Sequence, residues 1–422
     1  MRKLLLSLLT GVLIIMQAGT IAAEKSSLDI SGNWLGVLKV PGAELRLVLK
    51  VTKNADGSFS SKLDSIDQGA NDIPVAQTIL KDGKVHLDLP VIQGTFDGTL
   101  NEAGTEITGE WKQGTAFPLI FKRTAEVVEL RRPQEPKPPF PYNEEEVSYL
   151  NQAAGIRLAG TLTTPKEKGP FPAVILITGS GAQDRNETLM NHKPFWVIAD
   201  YLTRRGIAVL RVDDRGIGGT SGRVDQSTSP DFAGDVLAGV EFLKSRKDIN
   251  LRQIGLIGHS EGGIVAPMAA VRSKDVAFII LLAGPGLSGE EIIRKQSDLI
   301  IRAGGGTDKD LAAQQGYLEN IFAICRMNEP EARKIKLHEY AEQLFSGMSD
   351  TEKQATGNSP AVIEAQLQSA ITPWYRFFID YDPVPTLKKV TCPVLALNGS
   401  KDLQVPPKED LAAIANALKE AG

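Results

Sequence analysis

The second half of the chain alternates continuous apolar runs with segments of helical periodicity. Apolar runs without polar alternation are typical of parallel strands that are buried on both faces. The segments between them repeat apolar residues every three or four positions, which is typical of amphipathic helices. This alternation predicts a mostly parallel sheet with helices on both faces. The predicted strands read FPAVILITG, IAVLRVDDRG, QIGLIGHS, VAFIILLAG and CPVLALNGSKD.

Two further features complete the predicted layout of this region, which spans residues 143–422. The segments EEVSYLN and IRLAGTLTTP precede the first apolar run and read as an antiparallel pair of strands. Residues 288–385 separate the last two predicted strands and have helical character. Because a compact sheet needs no connection of that length, we expect a helical cap inserted over residues 288–385.

The first part of the chain has a different pattern. Residues 28–124 contain short alternating runs separated by turn formers such as NADG, KDG and NEAG. This pattern predicts a small all-β sandwich or barrel over residues 24–130. Trp34 and Trp111 are interpreted as core residues, with a ligand-binding mouth as the alternative. The proline-rich segment RRPQEPKPPFPY predicts a stiff linker over residues 131–142.

The N-terminus has the pattern of an export signal. Arg2 and Lys3 precede the apolar run LLLSLLTGVLIIM, and small residues then lead to polar EKSS. We expect a signal peptide over residues 1–23 with cleavage after Ala23, and therefore a periplasmic or secreted protein without stable membrane insertion. A retained membrane anchor is the alternative, because the apolar stretch approaches the roughly 20 residues that span a bilayer.

Charge and cysteine content narrow the possible partners. The formal net charge of −4 gives no indication of a nucleic-acid surface. Cys325 and Cys392 are the only cysteines, too few for a disulfide framework. We interpret them as buried thiols, with a single disulfide as the alternative. No cluster with metal-ligand spacing is present, so no metal and no cofactor is expected.

The segment Gly258-His259-Ser260-Glu261-Gly262 carries the clearest chemical signal. It follows a predicted strand and opens a predicted helix, which is the position of a nucleophile elbow. The glycines allow the backbone to pack closely there, so that the serine hydroxyl is exposed above the sheet. The sequence therefore predicts that Ser260 is a catalytic nucleophile, with an incidental turn serine as the alternative.

Residues from about 145 to 422 resemble the α/β-hydrolase fold. They look most like secreted bacterial serine esterases related to the dienelactone hydrolase and serine aminopeptidase-like groups, several of which carry a β-rich domain ahead of the hydrolase. The implied fold class is an α/β-hydrolase with a helical cap insertion, preceded by a small all-β domain. The resemblance rests on ITGSGAQDRNE (177–187), DDRGIGGTSG (213–222), GHSEGG (258–263) and LNGSKDLQVPP (397–407).

The resemblance implies roles for further residues. The first oxyanion donor is the backbone amide of Ser180, which follows Thr178-Gly179 where many relatives have histidine-glycine, and the second is the amide of Glu261. The acid should follow a late strand in the order serine, acid, histidine, which selects Asp402. Asp380 and Asp382 precede that strand and are interpreted as a solvated hinge. Arg215 is interpreted as an ion-pairing residue of its loop, with a substrate contact as the alternative.

The catalytic base is the missing member of the triad. None of the four histidines follows Asp402, and His259 is adjacent to the nucleophile, where the elbow turns neighbouring side chains apart. The resemblance places the base beyond one more helix and strand, and PKEDLAAIANALKEAG supplies only the helix. We therefore expect the histidine beyond residue 422 and a truncated C-terminus. The remaining histidines are His86 in the β domain, His192 before the first helix, and His338 in the cap, the alternative base.

Two classes of function remain open from the sequence. The first is a serine hydrolase that cleaves carboxylic esters of short to medium acyl length through an acyl-enzyme, with a peptidase or aminopeptidase of the same fold as the alternative. The second is a non-catalytic exported binding protein whose β domain recognises a ligand. The elbow, the oxyanion segment and the acid favour the first, with a small-molecule ester as substrate. The sequence leaves the natural substrate and the oligomeric state open.

Overall fold

The alternating strands of the N-terminal region close into an antiparallel barrel. In the computed structural model, which describes residues 28–40, 43–125, 132–349, 353 and 359–421, each strand of this region pairs with the next and the eighth pairs with the first. The predicted signal peptide and residues 126–131 lie outside the described residues. The strands are β1 (Gly32–Val40), β2 (Ala43–Lys53), β3 (Phe59–Ser65), β4 (Ala70–Lys81), β5 (Lys84–Leu89), β6 (Gly94–Leu100), β7 (Glu106–Gln113) and β8 (Thr115–Thr124).

Aromatic and aliphatic side chains fill the interior of this barrel. Trp34 and Trp111 are buried, and the Trp34 indole N–H donates to the carbonyl of Ile30 over 2.8 Å. Phe96 and Phe121 pack edge to face with their ring centroids 5.2 Å apart. The interpretation of both tryptophans as core residues is therefore confirmed, because neither lines an open mouth.

The second sheet has seven strands and is mostly parallel. Its order is β15-β14-β13-β11-β12-β10-β9, with β9 antiparallel to β10, β10 antiparallel to β12, and the other neighbours parallel. The antiparallel pair predicted before the first apolar run is confirmed as β9 and β10. The strands are β9 (Tyr142–Asn151), β10 (Ile156–Pro165), β11 (Phe171–Ile177), β12 (Ala208–Val212), β13 (Ile249–His259), β14 (Phe278–Leu282) and β15 (Val394–Leu397).

Helices cover both faces of this sheet. Alternate residues of β11 point to opposite faces, so that Val174 packs with Phe195 of the first helix while Ile175 packs with Val240 and Ile264 of the next two. The predicted fold class, an α/β-hydrolase preceded by a small all-β domain, is confirmed. The helices that flank the sheet are α1 (Pro194–Thr203), α2 (Ser229–Lys244) and α3 (Gly262–Ala270).

A group of helices lies between β14 and β15 and has a core of its own. Buried side chains from several of these helices form that core, including Phe322, Leu337 and Ile363. Cys325 is a buried free thiol in this core, as interpreted from the sequence, whereas Cys392 is a free thiol that is only half-buried. The helices are α4 (Gly289–Ala303), α5 (Asp308–Arg326), α6 (Pro330–Gly347), α7 (Pro360–Leu367), α8 (Pro373–Asp380) and α9 (Val384–Leu387), and α10 (Pro407–Ala421) follows β15. Among the described residues, no helix is both long and apolar enough to cross a membrane.

The barrel core supplies a test of the fold. Phe96→Ala should lower the free energy of unfolding of the barrel by about 3–5 kcal/mol, because it removes a buried ring and leaves a cavity. Val91→Ala is the control: Val91 is 70% exposed, and its truncation should change stability by no more than about 0.5 kcal/mol. Urea unfolding followed by tryptophan fluorescence measures both. Equal unfolding midpoints for the two variants would show that Phe96 is not a core residue.

Candidate active site

Ser260 lies in the tight turn between β13 and α3. Its φ of 50° is in the left-handed region, which a side chain other than glycine adopts at an energetic cost and mainly at functional sites. The surrounding structure holds it there, since its amide donates to the carbonyl of Leu282 over 2.9 Å and its carbonyl accepts from the amide of Gly263 over 2.8 Å. The strand-turn-helix context expected for a nucleophile elbow is present.

The glycines around Ser260 allow main chains to pass in close contact. A Cβ atom on Gly262 would lie 2.9 Å from the carbonyl oxygen of Thr178, and one on Gly263 would lie 2.5 Å from the Cα of Gly284. Real Cβ atoms do not approach other atoms so closely. A Cβ on Gly258 would likewise collide with the backbone of Gly262 and Gly263. Glycine is therefore required at these positions by packing.

The segment after β11 packs directly against Ser260. We call residues 178–188 the oxyanion loop. A Cβ atom on Gly179 of this loop would lie 3.2 Å from the Cβ of Ser260. Among the described residues, neither the amide of Ser180 nor that of Glu261 has a hydrogen-bond acceptor. Ser180 follows Gly179 in this loop and Glu261 follows Ser260 in the chain, so both predicted donors belong to segments that meet at the serine.

Glu187 joins the oxyanion loop to the residue before Ser260. Its Oε1 accepts a hydrogen bond from the amide of Gly179 over 2.7 Å and lies 2.7 Å from Nδ1 of His259. The Glu187 side chain is buried, and the backbone of Glu187 has a positive φ of 51°. The hydrogen bond to Glu187 raises the pKa of His259, and the charges of Glu187 and Asp402 act in the same direction. Sequence reasoning missed Glu187, although it ends the quoted motif ITGSGAQDRNE.

Asp402 follows β15 at the same end of the sheet as Ser260. Its Oδ1 accepts hydrogen bonds from the amides of Gln404 over 2.8 Å and Val405 over 3.0 Å. The negative charge of Asp402 also raises the pKa of His259, the residue before Ser260. The position predicted for the acid is therefore close to the elbow. Asp380 and Asp382, interpreted as a solvated hinge, are both exposed, and Asp380 forms a surface ion pair with Arg326 at 2.7 Å.

The four histidines all lie within the described residues, and none of them is hydrogen-bonded to Ser260. Nδ1 of His259 is engaged by Glu187 as described. The other three rings also face carboxylates at their own sites. They are His86 with Asp97 at 2.7 Å, His192 with Glu135 at 3.1 Å, and His338 with Glu364 at 2.8 Å.

The Glu261 side chain is buried in the protein. Its Oε1 accepts hydrogen bonds from the hydroxyl of Ser229 over 2.6 Å and from the indole N–H of Trp374 over 2.7 Å. Burial raises the pKa of this carboxyl group. Trp374 belongs to α8 of the cap and stacks on Phe378, with ring centroids 5.1 Å apart. The cap is therefore attached to the residue that follows the nucleophile.

A pocket lies against the oxyanion loop, which forms part of its wall. Thr178, Gly179 and Glu261 line it, whereas none of the residues 371–383 of the cap does. Asp214 also lines it, accepting hydrogen bonds from the hydroxyl of Thr178 and the amide of Gln183, and burial raises its pKa to about 7. Arg215 pairs with Asp235 at 2.6 Å, as its interpretation as an ion-pairing residue requires.

The described residues contain no cluster of three or more histidine, cysteine, aspartate or glutamate side chains that could hold a metal ion. The groups around Ser260 are hydrogen-bond donors and carboxylates. The arrangement can present a serine hydroxyl to a carbonyl group and offer two amides to the oxygen of that carbonyl.

Two curated proteins and a solved structure are similar to parts of this chain. An esterase, EstD, of Thermotoga maritima is 30% identical over 258 residues, which are 60% of this chain and 52% of the esterase. A hydrolase of Bacillus subtilis, YtaP, is 28% identical over 117 residues, 24% of this chain and 39% of that protein. The chain thus spans about half or less of the length of these curated relatives. A solved esterase of Pyrococcus furiosus is 16% identical, covering 70% of this chain and 83% of its own, with a TM-score of 0.43.

The family model of X-Pro dipeptidyl-peptidases, the S15 family, matches residues 154–422. This range begins in the β9–β10 turn and includes the oxyanion loop, Ser260, the cap and Asp402. It therefore covers more than half of the chain, and the resemblance to α/β-hydrolases stated from the sequence is confirmed. The chain belongs to the X-Pro dipeptidyl-peptidase (S15) family.

Proposed function

We propose that this protein is a serine hydrolase that cleaves carboxylic esters of short to medium acyl length. The observation that carries this proposal is the strained conformation of Ser260, held at a strand-to-helix turn beside two amides without an acceptor among the described residues. Such a turn exposes a hydroxyl to substrate while the helix N-terminus lies behind it. The 30% identity to an esterase supports the choice of ester substrates.

In the proposed reaction Ser260 Oγ attacks the acyl carbon while a general base takes the hydroxyl proton. The carbonyl oxygen becomes an oxyanion, which accepts hydrogen bonds from the amides of Ser180 and Glu261. Collapse of this intermediate breaks the ester C–O bond, and the alcohol leaves with the proton from the base. Water then attacks the acyl-enzyme by the same route, which releases the acid and restores Ser260.

Asp402 takes the role of the acid in this proposal. A carboxylate at that position orients the imidazole of the base and stabilises it once it is protonated. The hydrogen bonds from Gln404 and Val405 support this role, because they fix the carboxylate while leaving one oxygen for the base. No metal or cofactor takes part in the proposed reaction.

A peptidase is the second candidate function, and the S15 family match favours it. The description of that family names X-Pro dipeptidyl-peptidases, which release dipeptides that end in proline. The same nucleophile and oxyanion amides would serve an amide substrate, since both reactions pass through a tetrahedral intermediate. The two candidates differ only in the leaving group, an alcohol or an amine.

Replacing the nucleophile tests the proposal directly. Ser260→Ala in the full-length protein should lower kcat for p-nitrophenyl acetate by about four to six orders of magnitude, because triad members act as a unit. Intact mass after treatment with a fluorophosphonate should show one adduct on the wild type and none on Ser260→Ala. Ser148→Ala, which alters an exposed serine of β9, is the control and should retain full activity and labelling.

Assays of the wild-type protein with two substrates distinguish the two candidate activities. Turnover of p-nitrophenyl acetate well above that of glycyl-prolyl p-nitroanilide would support the esterase, and the reverse ratio would support the peptidase. Full activity of Ser260→Ala on both substrates would remove Ser260 from its role.

The cap is proposed to restrict the acyl group that reaches Ser260. Trp374 supports this role because α8 contacts Glu261, the residue that follows the nucleophile. Not all aromatic residues of α8 can serve the proposed acyl site. Phe378 instead packs with the core of the α/β domain, and Tyr375 packs with that of the cap.

Trp374→Phe tests the attachment of the cap. It removes the indole donor and leaves the buried Glu261 carboxylate with Ser229 alone, which should cost about 1–3 kcal/mol of stability. We expect a lower melting temperature and a shift in kcat/KM from acetyl toward longer acyl esters. Trp196→Phe on α1 is the matched control and should leave the acyl preference unchanged. An unchanged acyl preference in Trp374→Phe would contradict the proposed role of the cap.

Export is proposed from residues 1–23 alone. Expression in a bacterial host should yield periplasmic or secreted protein that begins at Glu24, as measured by fractionation and N-terminal sequencing. Replacing Arg2 and Lys3 by glutamate should retain the protein in the cytoplasm. Uncleaved protein in the membrane fraction would support the retained anchor instead.

A further inference from the structure

The barrel contacts the segment that leads out of the oxyanion loop. This segment, residues 189–193, forms a tight turn in which Leu189 and His192 exchange two backbone hydrogen bonds of 2.9 and 2.8 Å. Met190 and Asn191 both have positive φ values, 49° and 58°. The Asn191 side-chain amide donates to the carbonyl of Gly69 over 2.9 Å. Gly69 lies in the turn between β3 and β4, so one end of the barrel meets the α/β domain here.

The fit between Gly69 and this turn is close. A Cβ atom on Gly69 would lie 2.5 Å from the Cα of Met190 and closer still to its carbonyl group. All these atoms belong to the backbone, so no flexible side chain can move aside. A contact of this kind transmits a displacement, because packed backbone cannot be compressed. The barrel turn therefore defines where residues 190 and 191 lie.

The chain that connects the two domains holds the same turn from a second direction. Arg132 donates through Nη2 to the carbonyl of Met190 over 3.0 Å. Glu135 accepts from the amide of Lys193 over 3.2 Å and lies 3.1 Å from Nδ1 of His192. The residues expected to act only as a linker thus contribute to positioning residues 189–193.

Along the chain, Glu187 lies between Arg185, whose side chain is held by the α/β domain, and the turn of residues 189–193. Before it in the chain, Arg185 pairs with Asp213 of the α/β domain at 2.7 Å and donates to the hydroxyl of Thr161 over 2.7 Å. After it, two residues lead to Met190 and the barrel contact. The main chain of Glu187 is therefore fixed from both sides. Its carboxylate in turn holds the amide of Gly179, which packs against Ser260.

We propose that the N-terminal barrel positions the oxyanion loop. The contact of Gly69 with Met190 and Asn191 sets the path of the chain into Glu187, and Glu187 sets the position of Gly179 and of the Ser180 amide beside Ser260. The barrel is thus a working part of the active site, although it contributes no group to the chemistry. This inference rests on the proposed function, because the loop matters only if its amides bind an oxyanion.

Two glycine substitutions separate this role from general destabilisation. Gly69→Ala introduces a Cβ against Met190 at a φ of 62°. Gly104→Ala introduces a Cβ into open space at a φ of 67°, in the turn between β6 and β7. Both substitutions carry the same cost of a left-handed alanine, and only the first one displaces residues 190 and 191. Asn191→Gly is a milder third variant, since it removes the hydrogen bond to Gly69 and tolerates the positive φ.

The measurements are ester turnover and hydrogen exchange on the full-length protein. Gly69→Ala should lower kcat about tenfold or more with little change in KM, because a displaced amide weakens binding of the transition state alone. Exchange in peptides covering residues 178–188 should be faster than in wild type. Asn191→Gly should lower kcat and speed the exchange by smaller amounts. Gly104→Ala should have the kcat and the exchange rate of wild type.

The outcomes distinguish the inference from the function on which it rests. A wild type that neither hydrolyses esters or X-Pro anilides nor reacts with a fluorophosphonate would overturn both. An active wild type with equal kcat and equal exchange in Gly69→Ala and Gly104→Ala would overturn the role of the barrel alone. If Gly69→Ala fails to fold, Asn191→Gly decides, and wild-type kcat and exchange in that variant would overturn the inference.

Discussion

The close approach of main chains around Ser260 is the constraint on which the site depends. Gly258, Gly262 and Gly263 let β13, α3 and the ends of β11 and β14 pass without side chains between them. This packing keeps Ser260 at a positive φ that it would not adopt alone. It also brings the oxyanion loop against the serine, so the proposed nucleophile and the loop have fixed relative positions. Electrostatic stabilisation of an oxyanion depends on such preorganisation.

Carboxylates rather than cations surround this nucleophile. Burial raises the pKa of Asp214, and the negative charges of Glu261 and Glu187 raise it further. Each carboxylate accepts hydrogen bonds from the main chain or from neutral side chains, and only Glu187 also faces a histidine. Their contribution is structural order, because they tie the loops around Ser260 to each other. In the proposed reaction, the backbone amides and the helix N-terminus therefore stabilise the negative charge on the substrate.

Much of this architecture could be predicted from the sequence, because local periodicity fixes local structure. The apolar runs predicted the buried strands, the two segments before them predicted the antiparallel pair, and the glycine-flanked motif after a strand predicted the turn that contains Ser260. Contacts between distant segments could not be predicted in this way. Glu187 is separated from His259 by 72 positions, and Trp374 from Glu261 by 113. Neither pairing produces a periodic pattern in the sequence. Glutamate is usually exposed to solvent and tryptophan is usually packed in a core, so the residue type alone does not indicate such a contact.

Glu261 shows how a single residue links the separate parts of the molecule. Its amide is the second oxyanion donor of the proposed reaction, whereas its carboxylate is buried and accepts hydrogen bonds from Ser229 of α2 and Trp374 of the cap. Any movement of α8 therefore acts on a residue that is proposed to supply an oxyanion donor. Glu187 makes the corresponding link on the other side, from the barrel contact to the amide of Gly179. In the proposed mechanism the barrel and the cap therefore act on the two oxyanion donors through one buried carboxylate each, Glu187 for the barrel and Glu261 for the cap.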